Sequence, residues 1–128
     1  MNNTPIEFEV QKANIFLHLL TECNLSCGHC YIDPQKHGRK MLSLATAKKW
    51  LKLLKHPTWA TNLVLLGGEP TLHPPLSEII AEAKKIGFRS ITVNTNGFLF
   101  NSFFEKNSPL ATNLNFSLDG ATPKINDS

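Results

Sequence analysis

Near the start of this 128-residue sequence no apolar run is long enough to cross a bilayer or form the core of a secretion signal. The run Ile15-Phe16-Leu17 is short, and it follows the polar, acidic opening MNNTPIEFEVQK. The expectation is a cytoplasmic protein with no membrane partner. Tracts of low complexity and long blocks of one charge are missing too, which excludes a disordered tail. Charge of either sign is barely in excess, with a formal +3 at pH 7. Its sources are lysines such as Lys48, Lys49, Lys52, Lys84 and Lys85 on the polar faces of expected helices, so nothing calls for a nucleic-acid partner. Cysteine is scarce: the chain has three, all within Cys23–Cys30. An odd number packed this closely excludes an ordinary disulfide framework, and in a reducing compartment such a cluster points to metal binding.

What is present is ordinary for a folded domain. Hydrophobic residues make up 41% and charged residues 18%, close to average globular usage. The length predicts one domain spanning residues 1–128, able to bury roughly two-thirds of its unfolded surface.

Residues 14–20, NIFLHLL, read as a first strand leading into the cysteine loop. The loop runs from Thr21 to about Met41 with Gly28, Pro34 and Gly38, and its length marks it as functional. A helix follows, with Ser43 as N-cap, an apolar stripe of Leu44, Ala47, Leu51 and Leu54, and a stop at Pro57. NLVLL, Asn62–Leu66, is a strand covered on both faces, ending at Gly67-Gly68. Pro75 opens a second helix with stripe residues Leu76, Ile79, Ile80, Ala83 and Ile86, and Gly87 ends it. SITVN forms a third strand. Leu99, Phe100, Phe103 and Phe104 predict a short third helix before Pro109, and NLNFSLDG, from Asn113, a fourth strand. On that strand Leu114, Phe116 and Leu118 alternate with Asn115, Ser117 and Asp119.

Strands alternating with helices predict an α/β fold with a parallel sheet and outer helices. On the third and fourth strands alone, an antiparallel sheet with one face in water is an equal alternative. Polar or glycine-rich loops follow the first three strands (residues 21–30, 67–71 and 95–97), at the end where parallel α/β proteins place their chemistry. With nothing after the fourth strand to cover its edge, the expectation is a truncated chain.

Cys23, Cys27 and Cys30 are separated by three and then two residues. Thiolates so spaced can wrap one small centre, either an iron–sulfur cluster or a zinc ion completed by His29 or His37. A four-iron cluster held by three cysteines keeps one iron corner open for a ligand.

CNLSCGHC resembles the CxxxCxxC signature of the radical S-adenosylmethionine (SAM) superfamily. LLGGEPTLHP, Leu65–Pro74, resembles that superfamily's GGEP motif, and NTNG, Asn94–Gly97, and SLDGATPKIND, Ser117–Asp127, its third- and fourth-strand motifs. The resemblance implies a partial (β/α) TIM-like barrel of radical SAM type. It also implies a [4Fe-4S] cluster on Cys23, Cys27 and Cys30, with SAM chelating the fourth iron. Reductive cleavage of SAM would then give a 5′-deoxyadenosyl radical for hydrogen abstraction. An external electron donor of the flavodoxin or ferredoxin type is implied as partner.

Gly67 and Gly68 are expected to let SAM's methionine end approach the backbone, and Glu69 to accept from its ammonium. Ser117 is expected to bond the ribose or methionine end, with Asn94 and Asn96 in similar roles. His29 and Tyr31 would border the adenine, while His18 is expected to be a satisfied core histidine. The competing readings are a non-catalytic Cys3His zinc module, an inactive fragment, and a domain that binds a partner through its open edge. The substrate is not legible.

Overall fold

The computed structural model describes residues 11–99, 111–118 and 122. Four strands, β1 (Lys12–His18), β2 (Ala60–Leu66), β3 (Ser90–Thr95) and β4 (Asn113–Phe116), form one sheet in the order β1-β2-β3-β4. Every neighbouring pair is parallel. The antiparallel alternative for β3 and β4 is thereby excluded, and the polar alternation along them belongs to an α/β sheet whose second face is open. The expected third helix and the segment from Asp119 to Asp127 fall outside the described residues, apart from Thr122.

Among the described residues, two α-helices join the strands. In α1 (Leu44–Leu54) the Ser43 side chain accepts from the Thr46 N–H at 3.1 Å, satisfying one of the donors that a helix start leaves bare. The buried stripe of α1 is Ala47 and Leu51. Leu54, expected in that stripe, is 43% exposed. In α2 (Leu76–Ile86), Pro75 stands just ahead of the helix as its N-cap. Gly87 closes it in the left-handed conformation, φ 94°, donating to the Ala83 and Lys84 carbonyls, a conformation a side chain would oppose.

The core lies between the helices and one face of the sheet. Leu17 and Leu19, Leu63 and Leu65, and Ile91 and Val93 meet Ala47, Leu51, Ile79, Ile80 and Ala83 there, all at 4% exposure or less. Each large aliphatic side chain so buried contributes about 1.5–3 kcal/mol of transfer free energy. Lys48 and Lys52 reach Glu82 across α1 and α2 at 3.8 and 3.9 Å; exposed pairs of this kind add little.

The first ladder runs from Lys12↔Ala60 to His18↔Leu66, two residues earlier than the apolar pattern predicts. Pairing to β2 sets its limits, and the polar Lys12 joins because a backbone partner faces it. Leu19 and Leu20 leave the ladder but remain tied. The Leu19 N–H donates to the Leu66 carbonyl at 2.8 Å, and Leu20 bridges Met41 in an antiparallel contact. The chain after the cysteines thus returns to the base of its own loop before α1 begins.

The other face of the sheet carries Asn14, Phe16 and His18 of β1, Asn62, Val64 and Leu66 of β2, Thr92 and Asn94 of β3, and Asn113 and Asn115 of β4. The two long helices do not cover this side of the sheet. Side-chain hydrogen bonds cross it in register: Asn62 to Asn14 at 3.0 Å, Ser90 to Asn62 at 2.9 Å, and Asn115 to Asn94 at 3.1 Å. β2 is therefore covered fully on its helix side and half-buried on this side.

Candidate functional site at the carboxyl ends of the strands

The cysteine loop sits at the carboxyl end of β1, beside the ends of β2 and β3. None of Cys23, Cys27 and Cys30 is in a disulfide, and each is half-buried. A turn between Cys27 and Cys30, closed by an N–H···O bond of 3.2 Å, brings those two positions near one another. His37 approaches from the returning segment, with Nε2 3.6 Å from the Cys30 sulfur. Asn96, just after β3, places Nδ2 4.0 Å from the Cys23 sulfur and donates to Asn24 Oδ1 at 2.8 Å. Among the described residues, no three His, Cys, Asp or Glu side chains converge as ligands around one point. The donor set nevertheless suits an iron–sulfur centre, since three partly accessible cysteine sulfurs outside any disulfide hang on one loop. That loop would have to close around the centre to bind it.

Gly67 and Gly68 are governed first by the chain's own backbone. A Cβ on Gly67 would lie 2.6 Å from the Leu20 carbonyl oxygen, and one on Gly68 would collide with the Glu22 carbonyl. The Gly68 N–H donates to Leu20 O at 2.9 Å and the Glu69 N–H to Glu22 O at 2.8 Å. The glycines therefore let the end of β2 lie flat against the strand that delivers Cys23, a packing constraint the motif alone does not reveal.

Glu69 is buried, at 1% exposure. Its Oε1 accepts from the Thr71 N–H at 3.1 Å, the Thr71 hydroxyl at 2.6 Å and the Thr95 hydroxyl at 2.7 Å. Oε2 accepts from the Asn96 N–H at 2.8 Å. Four donors nearly fill the capacity of a carboxylate. The group caps the 3-10 turn Pro70–Leu72 and ties the end of β2 to the end of β3, so its side chain faces protein.

His18 departs from the expectation of a core histidine. It is exposed on the open face, with its ring 6.3 Å from that of Tyr31 in an edge-to-face arrangement. In the ladder Leu17 and Leu19 take the core side, which leaves His18 the other. Tyr31 itself is 76% exposed. Partial desolvation, and then the charge of Cys30, hold its hydroxyl above the ordinary tyrosine range. His29 is exposed beside Cys30. Asn94 faces the open side and bonds Asn115, while Ser117 follows β4 there, exposed, its N–H donating to Thr95 O at 3.0 Å.

Below the loop, His73 is 2% exposed and donates from Nε2 to the Leu42 carbonyl at 2.8 Å. Its Nδ1 is buried without a partner among the described residues. Burial lowers its pKa below the ordinary histidine value, opposed by the Leu42 bond.

The radical SAM superfamily model matches residues 18–128, and the chain belongs to that superfamily. It is also similar to proteins named "Probable GTP 3',8-cyclase". The one from Sulfolobus acidocaldarius is 30% identical over 116 residues, covering 90% of this chain and 37% of that protein. The one from Methanothermobacter thermautotrophicus is 29% identical over 109 residues, covering 84% and 35%. A third, from Saccharolobus islandicus, is 36% identical over 78 residues, covering 60% and 25%. The chain thus spans about a third or less of each relative's length. No helix among the described residues is long and apolar enough to cross a membrane.

Proposed function

We propose that residues 1–128 form the amino-terminal portion of a radical SAM enzyme core, holding a 4Fe–4S cluster on Cys23, Cys27 and Cys30 and a SAM molecule beside it. The observation that carries this reading is the placement of three cysteines outside any disulfide on one loop at the carboxyl end of β1, pressed against the glycine-lined end of β2. When bound, the cluster and SAM together supply a one-electron cleavage of the sulfonium, whose product removes hydrogen from a substrate.

The chain's own residues bind, orient and shield. Gly67 and Gly68 hold the ends of β1 and β2 together, so that backbone groups from Gly67 to Glu69 meet the methionine end of SAM. Glu69 supports that surface from within, its carboxylate being committed to Thr71, Thr95 and Asn96. Asn94, Asn96 and Ser117 stand at the ends of β3 and β4, where hydroxyl and amide groups can bond the ribose and the amino acid end. His29, Tyr31 and His18 surround the mouth with rings that an adenine can stack on.

A small protein of the flavodoxin or ferredoxin type delivers the electron, and GTP, the molecule in the relatives' names, is the first substrate to test. A second reading, a structural zinc site of three thiolates and His37, draws on the 3.6 Å approach of His37 to Cys30. Anaerobic reconstitution of the chain with iron and sulfide separates the two. About four irons, with 5′-deoxyadenosine released on adding reductant and SAM, supports the first. One tightly held zinc with no SAM cleavage refutes it.

A further inference from the structure

Asn96 connects three parts of the site. Its Nδ2 donates to Asn24 Oδ1 at 2.8 Å and lies 4.0 Å from the Cys23 sulfur, the outer reach of an N–H···S contact. Its Oδ1 accepts the Phe98 N–H at 3.0 Å. That Asx-type turn orients the amide so that its NH2 end faces the cysteine loop. Its own backbone N–H donates to Glu69 Oε2 at 2.8 Å. A carboxylate is a strong acceptor in a buried site, so this bond is the firmest anchor Asn96 has.

Asn24 and Asn96 are 72 residues apart, so the contact ties the cysteine loop to β3 and nothing local enforces it. The loop is otherwise held at its base, by Gly68 and Glu69 against Leu20 and Glu22 and by Lys40 against Thr21. Past Glu22, Asn96 reaches the loop from the end of β3, through Asn24 and toward Cys23. A loop that must close around a metal centre gains from having its first ligand placed beforehand, because less freedom is then lost on binding.

We infer that Asn96 is a positioning residue for Cys23, holding residues 23 and 24 through its side-chain NH2, and that the buried Glu69 carboxylate acts through it by fixing the backbone at residue 96. The inference relies on the proposed function only for the identity of the centre, since the hold on the loop exists without metal.

The test is amide hydrogen exchange on the metal-free chain. Asn96→Asp keeps the backbone bond to Glu69 and the acceptor for Phe98 but removes the donor to Asn24. Exchange in the segment 22–25 is expected to rise roughly fivefold, the worth of one ordinary hydrogen bond, with α1 and α2 unchanged. Asn96→Ala is expected to give the same local rise. Glu69→Gln is expected to loosen 22–25 and 96–98 together, and the double variant Glu69→Gln, Asn96→Asp no more at 22–25 than either single change.

Wild-type exchange at 22–25 in both Asn96 variants overturns the inference. A rise across the whole chain in Glu69→Gln assigns that carboxylate to general stability and overturns its half. Once the chain is reconstituted, a lower cluster reduction potential in Asn96→Asp is the further sign expected of a lost donor near a ligand sulfur. A wild-type chain that takes up no cluster but keeps the exchange pattern refutes the proposed function and leaves the hold on Cys23 standing.

Discussion

Gly68 lies directly against Glu22: a side chain on the glycine would collide with the Glu22 carbonyl, one residue before the first cysteine. Gly28, inside the cysteine loop, has nothing within 4 Å of the same position. The two glycines therefore respond differently to one methyl group. Gly68→Ala is expected to lower unfolding stability by about 2 kcal/mol or more and to reduce iron uptake, since the loop must move off the end of β2. Gly28→Ala is expected to stay within about 0.5 kcal/mol of wild type. Urea midpoints and bound iron, measured side by side, check the contrast, and equal behaviour of the two variants would contradict it.

Glu69→Ala removes the acceptor for four donors at the junction of β2 and β3. Unsatisfied buried donors cost about 1–3 kcal/mol each, and relaxation recovers part of that. The expected loss is on the order of 3 kcal/mol by urea denaturation, large for a chain of this size. A loss below about 1 kcal/mol would mean that the carboxylate is not the node described.

Cys27→Ala is expected to abolish cluster uptake and SAM cleavage together. Ser117→Ala, exposed after β4 and remote from the thiols in sequence, is expected to leave iron content intact and weaken SAM binding. Iron and sulfide assays with equilibrium binding of SAM separate the two effects. Equal iron in wild type and Cys27→Ala would refute the ligand assignment.

His73 makes stability depend on pH. Burial depresses its pKa, so the unfolded chain binds the proton more readily than the folded one between the folded value and about 6.5. Its contribution is complete above about pH 6.5 and is lost as pH falls below that value. Protonation would also give Nδ1 a proton where no acceptor waits. His73→Gln, which retains a donor toward Leu42, is expected to flatten this part of the stability profile measured by thermal melting between about pH 5 and 7.

The elements were legible because their signals are local. Ser43 and Pro57 bracket α1, Gly87 ends α2, and the alternation on Ile91 to Asn94 and Leu114 to Asn115 assigns the two faces. The cysteine spacing and the GGEP stretch likewise marked a candidate site without coordinates. The parallel pairing of β3 with β4, however, rested on punctuation until the register Val93↔Leu114 was seen. His18 was misplaced because an apolar run hides the period, and only pairing with β2 shows which of its residues turn outward.

By itself, the order of residues determined which strands and helices form among the described residues, that three cysteines fall on one loop, and that polar or glycine-rich loops follow the strands. Tertiary structure alone decided that Glu69 faces inward to Thr95 and Asn96, that Gly68 yields its space to Glu22, and that Asn96 reaches the cysteine loop. The reason is physical. Periodicity and capping act over a few residues, whereas a buried carboxylate finds its donors only after the chain has brought positions 69 and 96 to the same end of one sheet.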